Sequence, residues 1–235
     1  MAIKKRDFLV SITTTKSNES SRSWKEKVEE ADRLELERIA LFPTCLEKKE
    51  REELYKAVKL SKIKEVPFVH LRSDMSGEEL DFLVSDFKTQ VFNIHSKKEY
   101  PYPVGCSKHK DMIYVENVYN PLNERELDNF AGICLDFSHL ENDRLLNKKN
   151  FLYNREVLKN YKIGCNHLSA VGSVLELDIE GFYRYDKHYL KKLSETDYLK
   201  RYPLRYFSHF CAIELENSPK EQLEVIDYIY NILKS

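Results

Sequence analysis

Eight short apolar runs, parted by stretches with a helical period, set the strongest limit on what this chain can become. The runs fall at residues 8–15, 36–42, 66–71, 91–95, 112–116, 133–137, 163–168 and 210–216. Between most of them lie segments with apolar residues three and four apart: SWKEKVEEADRL, EKKEREELYKAVKL, GEELDFLVSDF, NERELDNF and residues 144–161. The last helical segment, SPKEQLEVIDYIYNIL, opens with Ser218 as N-cap, Pro219 at the first helical position and Glu221 at the third. Strands alternating with helices imply right-handed βαβ units and a parallel sheet, and eight such units close a barrel. The expected fold is therefore α/β, an eight-stranded (β/α)8 barrel, in one domain over residues 1–235.

Two stretches break the regularity. Residues 96–110 (SKKEYPYPVGCSKHK) carry two prolines and a glycine without a helical period, so the fourth helix is short or replaced by a loop. Residues 173–200 form a long connection after the seventh strand, rich in tyrosine and charge. Loops on the carboxyl side of barrel strands are where such folds place specificity. No repeat, linker or low-complexity tract points to a second domain.

The ends of the runs carry the chemistry. His70 closes FVHLR, His95 closes FNIHS, Glu116 ends IYVEN, Asp136 and His139 lie in CLDFSHL, His167 in CNHLS and Glu214 in AIELEN. Side-chain parity supports one shared interior: Asp136 falls with Cys134 and Gly132, His167 with Cys165 and Ile163, His95 with Asn93, and Glu214 with Ala212 and Glu216. Ligand-type residues thus sit among small or polar ones, with the bulkier aliphatics turned to the helices. Glu116, Asp136, His167 and Glu214 come from strands five to eight in order. Three carboxylates and one imidazole brought together repel unless a cation joins them, and Mn²⁺, Mg²⁺ or Zn²⁺ suits that oxygen and nitrogen set. The competing reading makes each a separate buried polar group satisfied by hydrogen bonds. Glu216 shares the face of Glu214 and rivals it as the eighth-strand ligand.

Other polar residues surround this set. His139, three residues after Asp136 on the turn leaving strand six, can orient a substrate oxygen or become a ligand itself. His188 and Asp186, in YDKHYL, suit a substrate contact or a further metal. His70, Arg72 and His95 come from the other half of the barrel and could hold phosphate or sugar hydroxyls, Arg72 through its planar fork. A structural ion pair is the alternative for Arg72. His109 and His209 precede strands and read as structural or exposed. Tyr100, Tyr102, Tyr119, Tyr183 and Tyr185 fall in loops of the same face, where they could stack on a sugar ring or pack the rim.

Bulk properties narrow the classes. The charged fraction of 33% with 42% hydrophobic residues fits a soluble globular chain, and no apolar run reaches the length of a membrane span. The start, MAIKKRDFLVSITTT, reads as a strand rather than a signal peptide. A net charge of −1 gives no general attraction to nucleic acid; basic clusters such as Lys4, Lys5 and Arg6, or Lys108 and Lys110, form no stripe. Nucleic acid stays open as a partner but is disfavoured. The five cysteines show no CxxC pair and are odd in number, which suggests reduced thiols in a cytoplasmic protein. With six glycines and no phosphate-cradling motif or nucleophile elbow, nucleotide-loop and serine-hydrolase chemistries have no support.

At YVEN, CLDFSH, NHLS, YDKHYL and IELENSPKEQL the chain resembles the xylose isomerase-like TIM-barrel superfamily, which holds sugar and sugar-phosphate isomerases and epimerases together with endonuclease IV. The motifs span roughly its second half. For the isomerase branch the resemblance implies one divalent metal on Glu116, Asp136, His167 and Glu214. Glu116 and Glu214 then move the proton through an enediolate, His139 holds the polarised oxygen, and His70, Arg72, His95 and His188 face a small sugar or sugar phosphate. In the epimerases an arginine commonly follows the seventh-strand histidine, whereas LSAVGSV follows His167 here. The endonuclease branch implies a three-metal phosphodiesterase site on damaged DNA, with His70, His95, Glu116, Asp136, His139, His167, Asp186, His188 and Glu214 as ligands. The near-neutral charge, short loops and altered spacing between His167 and Asp186 favour the isomerase or epimerase. A barrel that only binds is a third class, against which the retained ligand set argues.

Overall fold

The computed structural model describes residues 6–14, 22–177 and 181–234. Lys4 and Lys5 of the basic cluster, and Thr15 at the end of the first expected strand, lie outside them. The eight expected strands are all present, parallel, and joined side by side into a barrel. The first is split into β1 (Asp7–Leu9) and β2 (Ser11–Thr13). It is followed by β3 (Arg38–Phe42), β4 (Glu65–His70), β5 (Val91–Ile94), β6 (Ile113–Glu116), β7 (Gly132–Asp136) and β8 (Ile163–Leu168). A hairpin of β9 (Ala170–Leu177) and β10 (Tyr183–Lys187) intervenes before the last barrel strand, β11 (Phe210–Ile213). β1 pairs with β11 and β2 with β3, so the split strand closes the ring. Gln222 steadies the split: its side chain accepts from the Ser11 N–H at 2.7 Å and donates to the Ser11 carbonyl at 3.0 Å. Backbone groups freed by the kink are thereby paired rather than left buried and unmet.

Helices α1 (Trp24–Arg33), α2 (Lys48–Leu60), α3 (Gly77–Phe87), α4 (Glu124–Leu127), α5 (Phe137–Leu146), α6 (Lys148–Asn160) and α7 (Pro219–Lys234) surround the strands. Local chemistry sets their starts. Ser23 and Glu26 form a capping box at α1, Ser76 caps α3, and Ser218 with Glu221 caps α7 as its sequence foretells. Between β5 and β6 the proline-rich stretch forms a loop and then a 3₁₀ turn, Cys106–Met112, in place of a regular helix. Two expectations need correction. The single helix expected over 144–161 is two, α5 and α6, because Asp136 caps a helix that begins at Phe137, directly after β7. The connection expected over 173–200 is no plain loop: β9 and β10 pair antiparallel as a hairpin, followed by a 3₁₀ stretch at Leu193–Arg201.

Two hydrophobic layers hold this together. The outer one lies between strands and helices and includes Ile12, Leu41, Val69, Phe92, Val115, Leu135 and Ile213. The inner one fills the barrel with Leu9, Phe42, Phe68, Tyr114, Cys134, Cys165, Phe210 and Ala212. Cys134, Cys165 and Ala212 face inward as parity predicts, whereas Ile163 packs with the outer layer. The reason is an irregularity at Gly164: Ile133 pairs with Ile163 but Cys134 with Cys165, so one extra residue reverses the parity. A Cβ at Gly164 would lie 2.0 Å from the Tyr114 ring, so only glycine fits. All five cysteines are free, and four of them are buried.

Candidate metal centre

The barrel brings the four expected ligands to one place. One side-chain donor from each of Glu116, Asp136, His167 and Glu214 lies within 4.8 Å of every other. Glu116 and Asp136 end β6 and β7, His167 is the penultimate residue of β8, and Glu214 follows β11, tied down by its N–H to the Leu168 carbonyl at 2.9 Å. His167 Nδ1 is 2.9 Å from Glu214 Oε2 and 3.3 Å from Glu116 Oε1. Glu216, the rival at the eighth strand, points elsewhere; its N–H meets the His188 carbonyl at 2.6 Å and it joins no ligand cluster among the described residues.

Residues that the sequence did not single out fix the ligands. Asn93 donates to Glu116 Oε2 at 2.6 Å. Asn117 clamps Asp136 by its backbone, accepting from the N–H and donating to the carbonyl, both at 2.9 Å. Asp136 Oδ1 accepts from Ser138 Oγ at 2.7 Å and from the His139 N–H at 2.8 Å, as N-cap of α5. Its other oxygen is left for the centre. Asn93 shares a face with His95 and could have been found by parity; Asn117 and Ser138 carry no sequence signal beyond adjacency.

A cation fits this set on chemical grounds. Asp136 Oδ2, Glu214 Oε2 and both ring nitrogens of His167 are buried with no well-directed hydrogen bond, although they crowd together. Buried polar atoms in that condition are rare unless something bridges them. Their protonation shows the same need. Burial alone would raise the Glu116 carboxyl, but His167 and a hydrogen bond from His70 hold it well below the usual range. Glu214 is likewise drawn down to about 2, against burial, by His167 and His188. Burial opposes a charge on His167, yet Glu116 and Glu214 lift its value well above normal. Asp136, with burial dominant, is raised. Without a metal, a proton on His167 does the work of the cation.

A second convergence lies beside the first. His70 Nε2 and His95 Nε2 are 3.1 Å apart and stand 3.4 and 3.8 Å from Glu116 Oε2. These three form a further set with metal-ligand spacing, in which Glu116 takes part through its other oxygen. His139 faces the centre, its Nε2 3.6 Å from Asp136 Oδ2 and 3.7 Å from Glu116 Oε1. It lies in the first turn of α5 rather than on a free turn, because the cap at Asp136 starts the helix early.

The hairpin supplies the largest surprise. Arg184 is buried, donates through Nε to Asp186 Oδ1 at 2.8 Å, contacts His139 Nδ1, and lies 4.6 Å from the Tyr119 ring. Phe182 stacks on Tyr119 from the same hairpin. No arginine follows His167 closely in sequence, yet one reaches the mouth by way of β10. Asp186 is thus committed to Arg184 and His139, and His188 turns Nδ1 towards the Glu214 carbonyl at 3.4 Å. The Asp186–His188 pair joins no ligand cluster among the described residues.

Arg72 is bound in ion pairs, with Asp74 at 2.8 Å and Glu47 at 3.4 Å. With His70 and His95 it lines a cavity of about 320 Å³ whose other walls include Thr44, Ser73, Tyr100 and Tyr102. His109 is buried against Asp81 at 2.8 Å, and the His209 carbonyl receives the Asp7 N–H at the opposite end of the barrel.

No protein family and no curated protein matches the sequence. Solved structures of similar shape include a xylose isomerase-like TIM-barrel protein from Mycobacterium smegmatis in complex with magnesium, 9% identical, covering 99% of each chain at a TM-score of 0.49. Endonuclease IV from Thermus thermophilus is 16% identical over 97% of this chain and 99% of its own, at 0.47. The probable 3-DHS dehydratase AsbF from Bacillus anthracis is 15% identical over 98% and 99%, at 0.45. The class is a (β/α)8 barrel with a buried carboxylate–histidine cluster at its carboxyl mouth, a conclusion that rests on the strand pairing and the side-chain geometry. Among the described residues no helix is long and apolar enough to cross a membrane.

Proposed function

We propose that this chain is a metal-dependent isomerase or epimerase of a small sugar or sugar phosphate. The observation that carries the reading is enclosure: every ligand of the four-residue cluster is nearly inaccessible, and the cavity beside it is the size of one small molecule. Glu116, Asp136, His167 and Glu214 would hold the divalent ion, Mn²⁺, Mg²⁺ or Zn²⁺. When bound, it supplies Lewis acidity to a substrate carbonyl. Glu116 and Glu214, both against His167, are the proton carriers. One takes the proton from the carbon beside the carbonyl, and the other delivers a proton to the enediolate at the neighbouring carbon or the opposite face. His139 Nε2 donates to the oxygen on which charge collects, and Arg184 holds that imidazole in place. The substrate lies towards His70 and His95.

A second reading is hydrolysis of a phosphodiester. It is favoured by one feature, the His70–His95–Glu116 set that shares Glu116 with the first cluster, since a bridging carboxylate suits two-metal chemistry. Metal counting with solvent exchange separates the two. Deuterium uptake from heavy water into a sugar or sugar phosphate supports the isomerase. Two or three metals, no exchange across a broad panel, and nicking of abasic DNA would replace it with the hydrolase.

A further inference from the structure

We infer that Cys134 is a sulfur donor beneath the metal centre, so that a thiophilic divalent ion settles on Glu116, Cys134 and His167 while a hard ion stays on the four-residue set. The inference rests on the metal-binding half of the isomerase reading. Strand parity puts Cys134 on the face of Asp136, one layer deeper in the barrel. The register makes that layer the one from which Glu116 rises: Glu116 pairs with Cys134, Cys134 with Cys165, and Asp136 with His167. One donor atom each from Glu116, Cys134 and His167 lies within 4.8 Å of the other two, as in the set at the mouth. Cys134 and His167 are both fully buried. Neither ring nitrogen of His167 makes a well-directed hydrogen bond, so the imidazole beside the thiol has bonding capacity left for an ion. A cysteine that only fills space needs no polar neighbours, whereas this sulfur has a carboxylate and an imidazole beside it.

Ligand softness separates the two positions. Carboxylate oxygens suit Mg²⁺ and Mn²⁺, whereas thiolate selects softer ions. Charge favours the same division. The Glu116 carboxylate and a Cys134 thiolate neutralise a divalent ion fully when His167 is neutral, while the three carboxylates at the mouth leave one negative charge over. In a buried site the neutral assembly carries the smaller desolvation penalty. The thiol proton leaves for solvent as the sulfur–metal bond forms, since a coordinating thiol is deprotonated outright. Both positions draw on Glu116 and His167, so a thiophilic ion takes two of the four ligands and leaves the mouth set incomplete.

The test titrates the metal-free full chain with Cd²⁺ and, separately, with Mn²⁺, after the exposed Cys45 has been replaced by serine to remove an adventitious thiol. Cd²⁺ should raise a sulfur-to-metal charge-transfer band in the ultraviolet that saturates at equimolar ion. Cys134→Ser and Cys134→Ala should each lose the band, and the ratio of Cd²⁺ to Mn²⁺ affinity should fall about tenfold or more. Circular dichroism shows whether each variant folds. Cadmium NMR of the Cys45→Ser protein needs no change at Cys134: a resonance in the range of sulfur ligation supports the inference, and one in the range of oxygen and nitrogen alone overturns it. A band that survives in a folded Cys134 variant also overturns it. Mn²⁺ binding beside a sulfur-free Cd²⁺ site refutes the inference and leaves the metal reading intact. A sulfur band in a protein that takes no Mn²⁺ does the reverse, and binding of neither ion sinks both.

Discussion

Metal binding to this centre should expel protons, and its strength should climb with pH. In the metal-free protein His167 is held protonated because Glu116 and Glu214 raise its value well above the ordinary 6.5. A metal ion needs the neutral imidazole, so each ion bound at this cluster displaces at least the His167 proton. Acid favours the proton, which competes with the ion, and the apparent affinity therefore falls as pH is lowered. One proton displaced per ion gives about tenfold in affinity per pH unit, or about 1.4 kcal/mol. From pH 5.5 to 7.5 the gain is about a hundredfold, flattening only above the raised His167 value. Asp136, raised by burial, steepens the slope at the acid end. Calorimetric titration with Zn²⁺ or Mn²⁺ in two buffers of different ionisation enthalpy counts the protons directly. The His167→Gln variant should bind more weakly and release one proton fewer. A flat profile with no proton release in the wild type would refute the reasoning.

Substitutions at three positions test other parts of the structure. Asp136→Ala should abolish metal binding and also remove the α5 cap, costing about 0.5–2 kcal/mol in denaturant titration, whereas Asp136→Asn should lose the metal and keep most of the cap. Gly164→Ala should cost about 1–3 kcal/mol or more, because its methyl collides with the Tyr114 ring; a melting temperature equal to wild type would contradict the packing described. Arg51→Met should cost about 3–5 kcal/mol, since Arg51 is fully buried and its loss strands Glu79; screening at the more exposed Asp74 makes the lower end the expectation.

Sequence by itself determined the barrel and its carboxylate–histidine cluster. Strand and helix periods differ, so eight alternations of one with the other announce eight βα units, and each strand end announces which residue reaches the mouth. Glu116, Asp136 and His167 were legible because each closes or nearly closes an apolar run. Glu214 could not be told from Glu216 by parity, since both fall on one face; the turn away from β11 after Ile213 decides between them. Ile163 defeated parity because the extra residue at Gly164 is visible only when two strands are paired. The loops were decided by tertiary structure alone. Arg184 stands seventeen positions after His167 and enters the site because β9 and β10 pair and fold back over α5. Asp186 and His188, which spacing groups together, are separated by the partners they find: Arg184 and His139 for one, the Glu214 carbonyl for the other. Arg72 has an anion-binding side chain in sequence, but in space Asp74, Glu47 and the Thr44 carbonyl take three of its five N–H donors. Periodic burial writes the scaffold into local sequence, whereas the charge balance of a site depends on groups far apart in the chain that only the closed barrel brings together.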